Sequence, residues 1–281
     1  MDWGTTGGGV ILWEALGSRE LAFQFRPEQA QPLEFATDVR SRRALAHAVD
    51  RQSAFDAVTA GHGLMTDTGT NPNEEWYPRI EREVAKYAYD PRSAAQLFEE
   101  VGFVRAPDGR WMTPRGTPFD LPMWYTAGSI LFQQENAIIV DQLKQSGISA
   151  TSQVFNTQTA SNMERALLPG IIGSSGSAPE NFHSSMIPRA ENRWTGNNRG
   201  GYSNPELDRL SDTLLGAVAP SEILQLSIEM TRITKSELPA IFLYFQSRVY
   251  AHAAGLKGPK NRLVQKAGNA TRNIHEWYWD A

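Results

Sequence analysis

The sequence predicts an α/β fold, and three observations predict it. Segments with apolar residues at helical spacing, such as 39–60, 91–102 and 205–215, alternate with short apolar runs of strand length. One stretch, 120–155, reads strand, helix, strand, which suits a right-handed βαβ crossover. The third is bulk: 281 residues at 41% hydrophobic content can bury a core, as one large domain or two unequal ones.

Val10 to Trp13 and Leu21 to Phe25 are apolar runs parted by Gly17-Ser18, which predicts two strands. Thr37 or Asp38 then caps a helix whose stripe (Val39, Ala44, Leu45, Ala48, Val49, Phe55) continues to about Ala60. It stops at Gly61-His62-Gly63, where glycine permits the left-handed cap. Residues 61–80, rich in Gly, Thr, Asn and Pro, read as a loop. Asp90-Pro91 opens a helix through Leu97 and Phe98 to Gly102, and Asp108-Gly109 is a hairpin turn. Asp120 to Thr126 is a strand, Glu135 to Gln145 an amphipathic helix ending at Gly147, and Ile148 to Phe155 the returning strand. From Gly170 to Gly201 glycine, serine and asparagine dominate, and a loop of that length in a compact domain points to function. Pro205 opens a helix, another runs from its cap Ser221 to Glu237, and Pro239 to Tyr250 is strand-like. No internal repeat is visible.

Composition excludes several classes. Net charge is −4 with dispersed basic residues, which leaves no electrostatic footprint for nucleic acid. The longest apolar run, Pro239 to Phe245, falls far short of the roughly 20 residues that span a bilayer. Without cysteine there are neither disulfides nor thiolate metal sites. Met1 to Gly9 lacks a basic region followed by an apolar one, so this chain carries no signal peptide. The 8 Trp, 8 Tyr and 12 Phe suit either a stacking cleft or a filled core.

Catalytic patterns are weak. Gly173-Ser174-Ser175-Gly176-Ser177 approaches a nucleophile elbow, but serine stands at 177 where the motif needs glycine, and no strong strand or helix flanks it. A serine hydrolase using Ser174 or Ser175 is kept as the alternative of another class. His47, His62, His183, His252 and His275 are scattered without metal-ligand spacing. Gly4 and Gly7-Gly8-Gly9 precede a strand, the wrong order for a dinucleotide fingerprint. Asn197-Asn198-Arg199-Gly200-Gly201 reads as a turn with a solvated arginine.

Four spaced phrases carry more weight. They are Val39–Arg51 (VRSRRALAHAVDR), Tyr89-Asp90-Pro91-Arg92-Ser93-Ala94-Ala95, Tyr202-Ser203-Asn204-Pro205-Glu206-Leu207-Asp208 and Leu238-Pro239-Ala240-Ile241-Phe242-Leu243-Tyr244. In this order and spacing they resemble the C-terminal half of the family 5 extracellular solute-binding proteins, the dipeptide, oligopeptide and nickel receptors of ABC importers. The resemblance runs from about Leu21 to the end. It implies a periplasmic-binding-protein-like lobe (type II, cluster C) with flanking strands from a second, largely missing lobe. On that reading residues 1–35 hold strands of the N-terminal lobe and hinge, 36–240 form the ligand-binding lobe, and 241–281 return to the N-terminal lobe. Arg40, Asp50 and Arg51 then work in ion pairing and capping.

The resemblance also implies a function: capture of a small-molecule or peptide solute by hinge closure, followed by docking on the permease subunits, with no cofactor and no bond made or broken. Residues 171–182 align with a family stretch in which an aspartate pairs with a peptide's α-amino group and a tryptophan walls the pocket. Here Ser175 and Ile172 occupy those positions, while Pro179, Asn181 and Phe182 match the end. Thr126 stands where peptide-binding relatives can place a carboxylate-binding arginine. A buried ammonium without a carboxylate is costly, so a neutral or sugar-like solute is expected in place of a zwitterionic dipeptide. The expected ligand-binding set is Trp124, Tyr125, Thr126, Ile172, Ser174, Ser175, Asn181 and Trp194. Localisation is expected to be periplasmic or extracellular, with a lipid anchor on the intact parent left open and its signal lying upstream. A peptide-binding chaperone or sensory receptor domain of the same fold is the alternative. Apolar surface left by a missing lobe favours a homodimer of this fragment.

Overall fold

The computed structural model describes residues 7–176, 178–259, 271 and 273–280, and of residues 14–16 the backbone alone. Gly4 and Ser177, which entered the motif readings, lie outside the described residues.

Strand β1 (Gly9–Phe23) runs unbroken where the sequence predicts two strands. Bulges at Ala15/Ser18 and Arg19/Glu20 absorb Gly17 without unpairing the strand. After the short α1 (Glu34–Thr37), the predicted long stripe is cut into α2 (Val39–Ala48) and α3 (Arg51–Thr59). The cut has a cause. Asp50 N–H donates to Gln142 Oε1 and Gln142 Nε2 returns a bond to Asp50 O, each at 3.1 Å. A distant side chain thus takes the Asp50 N–H out of the first helix, while the Asp50 carbonyl accepts from Ala54 N–H and its carboxylate from Ser53 N–H to start the second. Asp38 caps α2, Arg40 pairs with Asp38, and Arg51 bridges to Asp67 at 2.7 Å, in line with the capping and pairing roles expected.

The 61–80 loop contains β2 (Leu64–Met65) and the start of α4 (Tyr77–Glu83). Asp90 and Pro91 open α5 (Pro91–Val101), which ends on left-handed Gly102 as predicted. A hairpin of β3 (Val104–Arg105) and β4 (Trp111–Met112) follows. Strand β5 (Asp120–Thr126) has the predicted bounds, whereas α6 (Ile130–Gln145) begins earlier, capped by Ser129. After β6 (Ser149–Phe155) and α7 (Asn162–Ala166), the predicted loop opens with a strand, β7 (Ile171–Ser175). It continues as 3-10 turns at Pro179–Phe182, Ser184–Met186 and Ala190–Asn192. Asn204 caps α8 (Pro205–Gly216). Helix α9 (Pro220–Glu237) starts one residue before the expected cap Ser221, because Pro220 supplies the first helical position and Ala219 the cap. Strands β8 (Ala240–Ala253), β9 (Leu256–Lys257) and β10 (Tyr278–Trp279) close the chain.

Six strands form one sheet in the order β2-β8-β1-β7-β5-β6. Strand β5 runs parallel to β6 and β7, and β1 is antiparallel to β7 and β8. Helices cover both faces, and alternation along the strands sorts the cores. Leu21, Phe23, Leu121, Met123, Ile241 and Leu243 pack under α2, α3, α5 and α6. On the other face Ala22, Ala240 and Phe242 meet α8 and α9 through Leu207, Leu210, Leu226 and Met230. Beyond Ser18 and Phe245 the pairing of β1 with β8 continues alone as a two-stranded ribbon, Gly9–Ala15 against Ser247–Ala253. Its Val10, Ile11 and Val249 are exposed.

Candidate functional site

Parallel strands β5 and β7 bring Thr126 and Ser175 to one edge of the sheet, beside the start of α6. In sheets of this kind ligands bind outside such carboxyl ends. Directly beneath Ser175 lies a buried polar hub. Arg19, on β1 opposite Ser175, donates from Nε and Nη2 to Glu135 of α6 at 2.5 to 3.2 Å. Its Nη1 donates to Ser174 O at 2.7 Å and to Ser175 Oγ at 2.8 Å, and its guanidinium stacks 3.8 Å from the Phe132 ring centroid. Tyr244 of β8 donates to Glu135 Oε2 at 2.5 Å.

The electrostatics follow from burial. Arg19, Glu135 and Tyr244 are each at most 1% exposed. Burial, then the Glu135 carboxylate, pushes the Tyr244 hydroxyl above the usual phenol range, so it stays a neutral donor. Arg19 and Glu135 neutralise each other, and all three guanidinium nitrogens donate. What reaches the surface is the exposed Ser175 hydroxyl. Its oxygen accepts from Arg19, so its proton is directed elsewhere and the group presents itself as a donor. Gly173 makes room for this, since a Cβ there would lie 3.3 Å from Arg19 Nη2.

The eight predicted residues do not form one cluster. Trp124, Thr126, Ile172 and Ser174 share one face of the sheet, with Trp124 paired to Ile172. Trp124 is half-buried and its indole N–H is spent on Pro169 O at 2.9 Å. Ile172 is 6% exposed and, with Ser174, lines a small internal cavity of about 20 Å³ beside Glu20 and Asn198. Tyr125 and Ser175 lie on the opposite face, toward Arg19. Asn181 binds Gly176 O at 2.8 Å and so holds the turn after β7. Trp194 is half-buried in a separate turn, in the left-handed region at φ 59°, its N–H bonded to Arg189 O. Sequence reasoning missed Arg19, Glu135 and Tyr244 altogether. The one signal was a charged pair, Arg19-Glu20, next to an apolar strand run.

Two side chains tie the 178–201 segment to its surroundings, alongside Asp208, which accepts from Ser184 N–H at 2.8 Å. Arg26 donates to Ala166 O, Arg199 O and Pro188 O at 2.6 to 3.0 Å. Buried Asn198 donates to Phe182 O and Tyr202 O and accepts from Tyr202 N–H. Arg199, read from the sequence as solvated, is half-buried, and burial lowers its pKa. Gly200 is required by close approach, because a Cβ would lie 2.1 Å from Phe23 O. Among the described residues no three His, Asp or Glu side chains gather as a metal site, and no described helix is long and apolar enough to cross a membrane.

Residues 13–190 match the family model of the bacterial extracellular solute-binding proteins, family 5 Middle. The oligopeptide-binding protein AppA of Bacillus subtilis is 26% identical over 262 residues, covering 87% of this chain and 45% of AppA. Its structure with a nonapeptide superposes at TM-score 0.76 and 22% identity, over 100% of this chain and 55% of that one. NikZ of Campylobacter jejuni, solved with Ni(L-His), gives TM-score 0.79 at 20% identity over 98% of this chain and 54% of NikZ. The mannohexaose-bound oligopeptide-binding protein of Thermotoga maritima gives 0.72 at 20% identity, covering 89% of this chain and 48% of that one. At these identities the structures show the fold: an α/β lobe of the periplasmic-binding-protein kind. The chain spans about half the length of these proteins. Its relatives are substrate-binding proteins of ABC transporters, a periplasmic or extracellular class, and not enzymes. This chain belongs to the family 5 bacterial extracellular solute-binding proteins.

Proposed function

We propose that this chain is the C-terminal portion of a substrate-binding protein that delivers a solute to an ABC permease by closure of two lobes. The observation that carries the reading is the family match over 13–190, together with a fold shared over the whole chain. The ends of β1 and β8 that project as a ribbon suit strands entering a second lobe. On this reading 1–35 and 241–281 connect to that lobe and 36–240 supply the ligand-facing one. No catalytic step is involved: Ser175 Oγ is bonded to an arginine rather than to a general base.

Of the eight expected residues, Tyr125, Thr126, Ser175 and Asn181 would face the solute at the strand ends. Ser175 supplies a neutral hydroxyl where an α-amino group would need a carboxylate, and Thr126 supplies one where an α-carboxylate would need an arginine. That favours a neutral or sugar-like group at this position. Binding by this chain alone is weaker than by the two-lobed parent, since one wall of the cleft is absent. The exposed apolar ribbon favours self-association as a homodimer. The parent is exported, with a lipid anchor as one form of retention.

The test is disruption of the encoding gene, followed by uptake of labelled oligosaccharide, oligopeptide and nickel. Selective loss of oligosaccharide uptake is expected. Unchanged uptake of every class would overturn the import role, and loss of peptide or nickel uptake alone would overturn the neutral-solute reading.

A further inference from the structure

A cavity of about 610 Å³ opens between residues 69–79, the turn at 178–180 and the N-terminal half of α9. That volume is in the range of small-molecule sites. Its walls are largely apolar, formed by Trp76, Pro179, Ile223, Leu224 and Met230. Trp76 and Ile223 are 37% and 36% exposed, although both are large side chains that gain from burial. They come from different segments and line one volume.

The charge on the lining is one-sided. Glu74, Glu75 and Glu180 bring three carboxylates against one guanidinium, Arg79. None of the three carboxylates forms an ion pair with another described residue. The start of α9 opposes them with about half a positive charge. Against Arg79 and that half charge, the carboxylates remain in excess by roughly one and a half charges. The Trp76 face adds a further attraction for a cation.

We propose that this cavity binds a ligand with a cationic head on an apolar or aromatic stem, the class of hydrophobic amines and guanidines. As a cargo site the cavity rests on the import reading; as a binding site it stands without it.

Three probes with one stem separate the charge from the hydrocarbon: phenylbutylamine, phenylbutanol and phenylbutyrate. Their binding to the whole chain at pH 7 and low salt is followed by tryptophan fluorescence, with Trp76→Phe identifying the reporter. The amine is expected to bind about tenfold more tightly than the carboxylate, with the alcohol between them. In a Glu74→Gln/Glu180→Gln variant the preference disappears while the alcohol binds as before. Equal or tighter binding of the carboxylate overturns the proposal. So does the absence of binding by all three, or a preference that survives in the double variant. Intact charge preference with unaffected uptake in the gene disruption would sink the import role alone, and the converse pair of results would sink this proposal alone.

Discussion

Arg19 and Glu135 meet as a fork although 116 residues separate them, with Arg19 Nη2 2.5 Å from Glu135 Oε1 and neither side chain more than 2% exposed. A pair this dry repays its desolvation only while both partners are present. Arg19→Met or Glu135→Leu alone should therefore cost about 3–5 kcal/mol, by stranding a buried charge. The double variant should recover most of that loss. Urea unfolding of the four proteins checks this, and a double variant no more stable than either single one would refute it.

Lys235 is 3% exposed, its Nζ 5.0 Å from the Tyr87 ring centroid, and burial lowers its pKa from 10.5 to about 8. The unfolded chain therefore holds this proton more tightly than the folded one. The penalty is complete below about pH 8 and is relieved as pH rises toward 10.5. Removing the charge should stabilise the fold by about 3 kcal/mol near neutrality, less about 1 kcal/mol for the lost cation–π contact. Lys235→Met is expected to show that gain at pH 7 and to lose most of it by about pH 10. A gain independent of pH would show that packing, not protonation, is responsible.

Arg26 ties three backbone carbonyls of the 166–199 region, alongside the buried Phe182 and Ile187. Arg26→Ala should open the 176–201 segment locally while leaving the sheet folded. Limited proteolysis is expected to cleave between Arg189 and Arg199 at least tenfold faster, a ratio set by about 1.4 kcal/mol of lost local stability. Cleavage at the wild-type rate would mean that Asn198, Asp208 and the buried Phe182 and Ile187 hold the segment without it.

Trp13 of the ribbon stacks on His62 with ring centroids 3.8 Å apart and planes within 12°. The contact joins β1 to the turn that follows α3. His62→Ala should raise amide exchange at Leu12 and Trp13 severalfold, with little change at Leu21 and Phe23 in the sheet. Equal protection throughout would show that backbone pairing alone fixes the ribbon.

Elements with self-contained signals were legible in the sequence. Asp90-Pro91 to Gly102, Asp108-Gly109 and Asp120 to Thr126 carry their caps, turn residues and alternation locally, and the structure keeps them. Errors arose where a distant group decides. The break at Val49-Asp50 depends on Gln142, invisible to a helical stripe. Strand β7, Ile-Ile-Gly-Ser-Ser, has strand formers only at Ile171 and Ile172, and its Gly-Ser-Ser half is held in the sheet by pairing with β1. At the site, Ser175 was singled out by register, but its donor character comes from Arg19 across the sheet. Trp124 kept an aromatic face in view while its N–H was already committed to Pro169.

The bulges of β1 have a mechanical meaning. Two strands hydrogen-bonded along most of their length keep one direction, and a bulge bends the strand and increases its twist where the ladder is interrupted. Both interruptions fall between Ala15 and Glu20, at the level of the Arg19 hub. The direction in which the ribbon leaves the sheet is therefore set at those two interruptions, and the Arg19–Glu135 cluster anchors its base beside the Ser175 edge.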